Sequence, residues 1–582
     1  MSNRVIAWVT VLGLFALGST RAQVAGSDPV LTPRAEQIPE WAQQGKFRFA
    51  RLDGGPIEIQ KTSRSAWGMH FNDAEKEVLA NLYTKYGDRV VDLLEQARIN
   101  FVWLTWSVGY SWQDEAEQRE QCKRFVTKLH SRGIHAAAYT CAVSMFWESM
   151  FRDEPRSVRW IVFDPKGVPY RYSGGRDALR FIADLSNPEW VELQKRRVGA
   201  AIDAGFDALF FDNTASAAWS DDAGMDAFIG KMRRFIHEEK HSNLLLLTNY
   251  GLTPNRAVLN RNMDIVFAEH WHEPGVWGAE WNTSNIRRTK YLRGIIPAWK
   301  PLTTEYSIFH SGTRATSFLA PRSQKLATAE AAAFGSDHSW DMEGPFDRAL
   351  QMGDPAALES WKAIGQYRSF LREHEDLYWK ARGVAPVAVV TSGAGISFGW
   401  DREESGLYDS LAQKSLLFDL RLLPAIEEDQ LQAYRAVVVP PSAQLTPAQK
   451  QLLERYESRG GKIYSPAAGM PPGEIVERIR SLAPDALSLS VEGAPHMLGN
   501  VTRLGSGKRL AIHLLNYNPE PVLGVRVRVN LDKEFLPLAD GKPRLIAPDA
   551  GTRGLTAARR NGSAIEFTVE RLDVYGVVLL GL

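Results

Sequence analysis

Three carboxylates close short strand-like runs in this chain: Asp212 after Ala208-Leu-Phe-Phe, Glu269 after Ile265-Val-Phe-Ala, and Glu305 after Pro301-Leu-Thr-Thr. An ionised carboxylate at the edge of a core is costly unless it is partnered or has chemistry to perform. Two such groups facing one another can cleave a glycosidic bond, one as nucleophile or base and the other protonating the leaving oxygen. A gap of about 5 Å goes with retention and a wider one with inversion. Asp212 is read as the nucleophile and Glu269 as the acid/base, because the longer glutamate side chain suits proton delivery over a ring. Glu305 is the reserve for either role; its plainer reading is a helix-capping or ion-paired carboxylate.

Neighbouring polar and aromatic residues fill the substrate-binding roles. Asn213, Asn249 and Tyr250 are placed to orient a substrate, and Asp337 and Asp341 to bind hydroxyls. Trp106, Trp271 and Trp340 offer apolar faces to the C–H side of a sugar, with His270 beside them. The run Glu269-His-Trp-His-Glu273 carries a second chemistry, since His270 and His272 would share one face of an extended segment and could ligate zinc. A third ligand would have to come from His70, His310 or His338. A metal-dependent hydrolase is therefore the alternative, and a glycan-binding barrel without turnover is the third reading. The preferred reading assigns no metal and no organic cofactor.

These residues share one rim only if the runs are staves of one closed sheet. Candidate strands at 67–71, 100–106, 134–140, 207–213, 243–250, 264–269, 301–307 and 336–341 alternate with stretches of helical charge spacing. Such alternation requires parallel strands with helical crossovers, and eight units match a (β/α)8 TIM barrel, whose chemistry sits at the C-terminal strand ends. A doubly wound open sheet is the competitor, weakened because no glycine fingerprint follows the first strand. Between the third and fourth strands, 144–184 is an insertion in which Asp164-Pro-Lys-Gly167 forms a hairpin turn, predicting a flap over the rim.

The 582 residues are too many for one core. With 69 Lys plus Arg against 68 Asp plus Glu, the chain lacks the basic excess of a nucleic-acid binder. Arg4, the apolar stretch 5–17 and Thr20-Arg-Ala22 read as a signal peptide over 1–22, so a periplasmic or secreted protein is expected, without a membrane anchor after cleavage. Two cysteines, Cys122 and Cys141, allow at most one disulfide.

The segment Gly205-Phe-Asp-Ala-Leu-Phe-Phe-Asp212-Asn213 resembles the fourth strand of barrel glycoside hydrolases of the dextranase-like and alpha-galactosidase-like kinds. The resemblance implies a carbohydrate substrate, Asp212 as nucleophile and Glu269 as proton donor, with retention. Downstream, Ala385-Pro-Val-Ala-Val-Val-Thr391, Ala436-Val-Val-Val-Pro-Pro-Ser442, Leu445-Thr-Pro-Ala-Gln-Lys and Gly460-Gly-Lys-Ile-Tyr464 resemble the trimerisation domain of family 42 beta-galactosidases. That resemblance implies a non-catalytic flavodoxin-like domain and a homo-oligomer. Those enzymes would carry Glu where this chain has Asp212, so galactose specificity is not carried over. From about 487 the pattern turns to period-two strands, read as a β-sandwich. The expected order is a signal peptide (1–22), an N-terminal extension (23–64), the barrel (65–380), the flavodoxin-like domain (381–486) and the sandwich (487–582).

Overall fold

The computed structural model describes residues 33–52, 87–172, 180–214, 219–249, 254–269, 273–278, 280–305, 319–341, 344–393, 396, 402–423, 426, 428–505 and 508–581. The segment read as a signal peptide and the run at 67–71 lie outside the described residues.

Eight parallel strands close a barrel: β1 Phe49–Leu52, β2 Phe101–Ser107, β3 His135–Cys141, β4 Ala208–Asp212, β5 Leu245–Thr248, β6 Ile265–Glu269, β7 Leu302–Glu305 and β8 Asp337–Asp341. Each pairs with the next in the chain, and β1 closes on β8 through Ala50↔Trp340 and Arg51↔Asp341. The first stave is thus Phe49–Leu52, within the segment expected to be an extension, and the expectation of a first strand at 67–71 is corrected. Two arginines disguise Arg48-Phe-Ala-Arg-Leu52 as polar chain. Yet Phe49 lies 5.2 Å from Phe101, 5.3 Å from Trp103 and 5.9 Å from Phe267 between ring centroids, inside the barrel.

Strand side chains alternate between faces. Phe49, Phe101, Trp103, Tyr139, Phe210, Leu247 and Phe267 fill the interior as one cluster. Their neighbours Ala50, Val102, Leu104, Trp106, Leu209, Phe211 and Leu246 face outward into a second cluster with the surrounding helices. Those helices include Asp88–Gln96, Ala116–His130, Pro188–Asp203, Asp222–Arg234, Ser284–Ile295, Pro321–Ala333 and Pro355–Glu373. The helix before β4 begins cleanly because Asn187 accepts hydrogen bonds from the Glu189 and Trp190 amides, with Pro188 in the first turn.

Beyond the barrel, a four-stranded parallel sheet runs Phe418–Leu422, Val387–Thr391, Ala436–Val438, Lys462–Tyr464 in spatial order. Helices Arg402–Gln413, Pro447–Ser458 and Pro472–Leu482 accompany it, and Thr446 caps the second of these through the Gln449 amide. Two antiparallel sheets of five and four strands follow, and Leu489, Val501, Ile512, Val527, Phe567 and Val578 from both share one hydrophobic cluster. Among the described residues no helix is long and apolar enough to cross a membrane. Cys122 and Cys141 are both buried thiols that form no disulfide with one another.

Candidate active site at the barrel mouth

The inward series on each stave ends in a polar group at the C-terminal rim. On β4, Ala208 and Phe210 precede Asp212; on β6, Ile265 and Phe267 precede Glu269; on β7, Thr303 precedes Glu305. Even strand spacing therefore turns all three carboxylates into the same mouth.

Asp212 sits beside Cys141 in register across the β3–β4 pair. Its Oδ2 accepts a hydrogen bond from the Tyr139 hydroxyl and a second from Asn213 Nδ2 at 2.9 Å. Two donors converging on one oxygen suit a group that bears negative charge. Asn213 has a φ of 56°, the left-handed region that asparagine tolerates better than most residues. That turn brings its amide back over Asp212, and the same Nδ2 lies 3.0 Å from Cys141 Sγ. Burial and the nearby Asp212 charge raise the Cys141 thiol well above its usual range, which disfavours the thiolate.

Glu269 lies in the opposite condition. Burial, then the charges of Glu305 and Asp212, push its carboxyl up to about 8, against the lowering influence of Arg51 and a hydrogen bond with Asn249. Glu305 is its direct register partner on the next strand. Glu305 is 2% exposed and receives Arg51 Nη1 at 2.5 Å. The Arg51 guanidinium also stacks 4.6 Å over the Trp103 ring. Of the two adjacent glutamates, one meets a cation and the other is pushed toward its neutral form.

The insertion after β3 grows directly from this rim. The Ala142 amide donates to the Asp212 carbonyl at 2.7 Å, and Ser144–Phe146 then pairs antiparallel with Arg180–Ile182. The turn at Asp164 to Gly167 closes the hairpin, with the Asp164 amide donating to the Val168 carbonyl at 2.8 Å. Tyr110 stacks on Phe146 at 4.0 Å, Arg180 lies 5.4 Å from Phe146, and Tyr172 lies 4.3 Å from Arg180. Burial first, then the charge of Asp212, raises the Tyr172 phenol far above its normal range, with Glu269 adding to it. Tyr172 is thus a rim residue brought in by the flap.

The loop under Tyr110 has its own anchor. Buried Glu115 accepts the amides of Val108, Gly109 and Tyr110 at 2.9, 3.1 and 3.0 Å, and the Ser107 hydroxyl at 2.7 Å. Arg197, fully buried, approaches the same carboxylate at 3.5 Å.

No protein-family model matches the chain, and no curated protein does. Solved structures do. The chain is similar to an alpha-L-fucosidase, isoenzyme 2 from Paenibacillus thiaminolyticus, with a TM-score of 0.63 and 14% identity over 92% of this chain and 99% of that one. It is also similar to a cycloisomaltooligosaccharide glucanotransferase from Paenibacillus sp., with a TM-score of 0.52 and 10% identity over 93% of this chain and 85% of that one. At such identities the likeness speaks for the fold.

The barrel brings Asp212, Asn213, Asn249, Glu269 and Glu305 together at one rim. Trp106 is not among them, and its expected substrate contact is corrected. It faces outward, donates Nε1–H to the Arg197 carbonyl at 3.1 Å and packs edge-on against Phe206. Asp337 is corrected too: it begins β8 at the opposite end of the barrel, accepting the Phe49 amide at 2.9 Å and facing Arg368 at 3.4 Å. Its carboxyl is pushed up to about 6 by burial, against those contacts. His338, weighed as a zinc ligand, is buried with Nδ1 3.2 Å from the Thr304 carbonyl oxygen. Tyr250, His270, Trp271 and His272 lie outside the described residues, as do His70 and His310. Trp340 and Asp341 end β8, with their side chains outside the description.

Among the described residues one group could hold a metal ion: His130, His135 and Asp207. It lies at the N-terminal end of β3 and β4. Asp207 already accepts from His130 at 2.8 Å, His135 at 2.9 Å and the Ala136 amide at 2.8 Å. That arrangement ties strand starts together, away from the mouth.

Arg51, Tyr139 and Tyr172 escaped the sequence reading. The first two had a signal in strand parity: Tyr139 is two residues before Cys141, and Arg51 is two after the inward Phe49. Tyr172 had none, because its position depends on how the insertion folds back.

Proposed function

We propose that the chain is an exported glycoside hydrolase cleaving O-glycosidic bonds of an oligo- or polysaccharide by a two-carboxylate, retaining mechanism. One observation carries the proposal: at a single barrel mouth, Asp212 is supplied with donors while burial and the facing Glu305 favour the neutral form of Glu269. Asp212 attacks the anomeric carbon, forming a glycosyl ester as the bond to the leaving oxygen breaks. Glu269 gives its proton to that oxygen. It then takes a proton from water, which attacks the anomeric carbon and releases Asp212. The two strands are separated by β5 alone, about 10 Å between backbones, with both side chains converging inward. That spacing leaves room for one sugar ring.

Glu305 is read as a charge neighbour of Glu269 rather than the reacting group, because Arg51 occupies it. Tyr172 is read as roof of the site. The sugar-acting names of the two structural neighbours favour a carbohydrate substrate. The first parallel sheet beyond the barrel has the order second, first, third, fourth, which supports a flavodoxin-like domain. The paired antiparallel sheets support a sandwich. The leader at 1–22 supports export, and the family 42 likeness supports a homo-oligomer. A panel of aryl glycosides tests the reading: hydrolysis of at least one, with retained configuration in the first-formed product, is expected. An inverted product would overturn the nucleophile assignment, and binding without hydrolysis would make this a glycan-binding barrel.

A further inference from the structure

A second cavity lies at the other end of the barrel, where the three parts of the chain meet. Its volume is about 600 Å³. The barrel contributes Arg48, Arg261, Lys290 and Arg293, the five-stranded antiparallel sheet Arg382, and the parallel sheet Arg421. Against these six cations the walls offer two carboxylates, Asp337 and Asp419. Asp337 is already engaged by Arg368 and the Phe49 amide. Asp419 accepts the Tyr434 hydroxyl at 2.7 Å and lies 3.6 Å from Arg421. Arg48 is answered by Glu375 at 3.0 Å.

Lys290 and Arg293 are two of the remaining four, with Arg261 and Arg382. Among the described residues neither forms an ion pair. Arg293 spends its donors on neutral acceptors: the Gly335 carbonyl at 2.7 Å, the Lys300 carbonyl at 2.8 Å and Gln44 Oε1 at 2.5 Å. Lys290 donates to the Phe418 carbonyl at 2.7 Å and lies 5.2 Å from the Phe334 ring. Burial lowers Lys290 to about 8 and Arg293 to about 9. Asp419 acts on Lys290 but is shared with Tyr434 and Arg421, so the half-buried lining keeps an excess of cations that an anion in the cavity would offset. An ammonium and a guanidinium both donate well to oxyanion oxygens.

We propose that this cavity binds a tetrahedral oxyanion, phosphate or sulfate, free or ester-linked to a sugar. Its size suits a ligand up to a sugar phosphate. The ligand would touch barrel, parallel sheet and the five-stranded antiparallel sheet at once, since Asn500, Thr502 and His513 complete the wall. Binding would therefore brace the junction. The proposal stands apart from the chemistry at the mouth, so either can fail alone.

The test is thermal unfolding and calorimetric titration of the full chain with sodium phosphate, sodium sulfate and glucose 6-phosphate, against sodium chloride at matched ionic strength. A saturable rise in Tm is expected with at least one oxyanion. Tighter binding of the sugar phosphate would identify the ester-linked form, and equal binding the free ion. K290M should weaken the affinity by about 10- to 100-fold, the loss of one charged hydrogen bond. R382Q, on the exposed wall, should weaken it less. A response that follows ionic strength alone, or that K290M leaves unchanged, would overturn the proposal.

Discussion

Glu269 and Glu305 stand side by side in register on adjoining strands, and Arg51 meets Glu305 at 2.5 Å. Two like charges at that spacing cannot both ionise cheaply. Under the proposed mechanism, Glu269 is the member of the pair that reaches the substrate as an acid.

The pH dependence follows from that. The acid form of Glu269 is present below about 8 and is lost as pH rises through it. Turnover should fall on the alkaline side with a midpoint near 8. In E305Q a like charge is gone and Arg51 is released, and both changes favour ionised Glu269. The alkaline limb should then move down by about 1 pH unit. A pH–kcat profile of both proteins decides it, and an unmoved limb would detach Glu305 from the acid.

E269Q should lose about 10²- to 10⁴-fold in rate on substrates with poor leaving groups, the usual contribution of a general acid. Aryl glycosides with strongly acidic phenols need little protonation and should lose much less. The same variant should be more stable at neutral pH. A carboxyl raised in the folded state destabilises the fold progressively from its ordinary value near 4.5 up to about 8, and glutamine cannot ionise. Urea unfolding at pH 7 should show a gain of about 1 kcal/mol or more.

Tyr139 and Asn213 should each matter through one donor to Asp212. Removing a hydrogen bond to a charged group costs about 1.5–3 kcal/mol, so Y139F should lower kcat by roughly 10- to 100-fold with KM little changed. At position 213 the backbone and the amide can be separated. N213G accepts the left-handed φ of 56° and loses the donor only, while N213A loses the donor and strains the turn. Equal loss of activity with lower Tm for N213A alone is the expected pattern.

Glu115 should be a stability residue with a reach into the site. E115A strips three amides of their acceptor and leaves Arg197 buried beside no carboxylate. A loss of about 3–5 kcal/mol in chemical unfolding is expected.

Much of this was legible in the chain. Runs ending in Asp212, Glu269 and Glu305 were bounded by helical stretches, and the crossover rule for parallel strands left few architectures. Where strand ends were read without parity, the reading erred: Trp106 looked terminal and aromatic, but Trp103 faces inward, so Trp106 three residues on faces the helices. Asp337 erred for the other reason, since it starts its strand rather than ending it. The stave Phe49–Leu52 was hidden because its arginines serve a distant partner: Arg51 is charged for Glu305, 254 residues away. Tyr172 depends on hairpin packing between Phe146 and Arg180, which local sequence does not encode.

The most direct test is the rate of phenol release from a panel of activated aryl glycosides by the wild-type protein and by D212N. Hydrolysis of at least one glycoside by the wild type, reduced by about 10³-fold or more in D212N, is predicted. Undiminished turnover by D212N, or a wild-type protein that binds sugars and cleaves none of them, would contradict it.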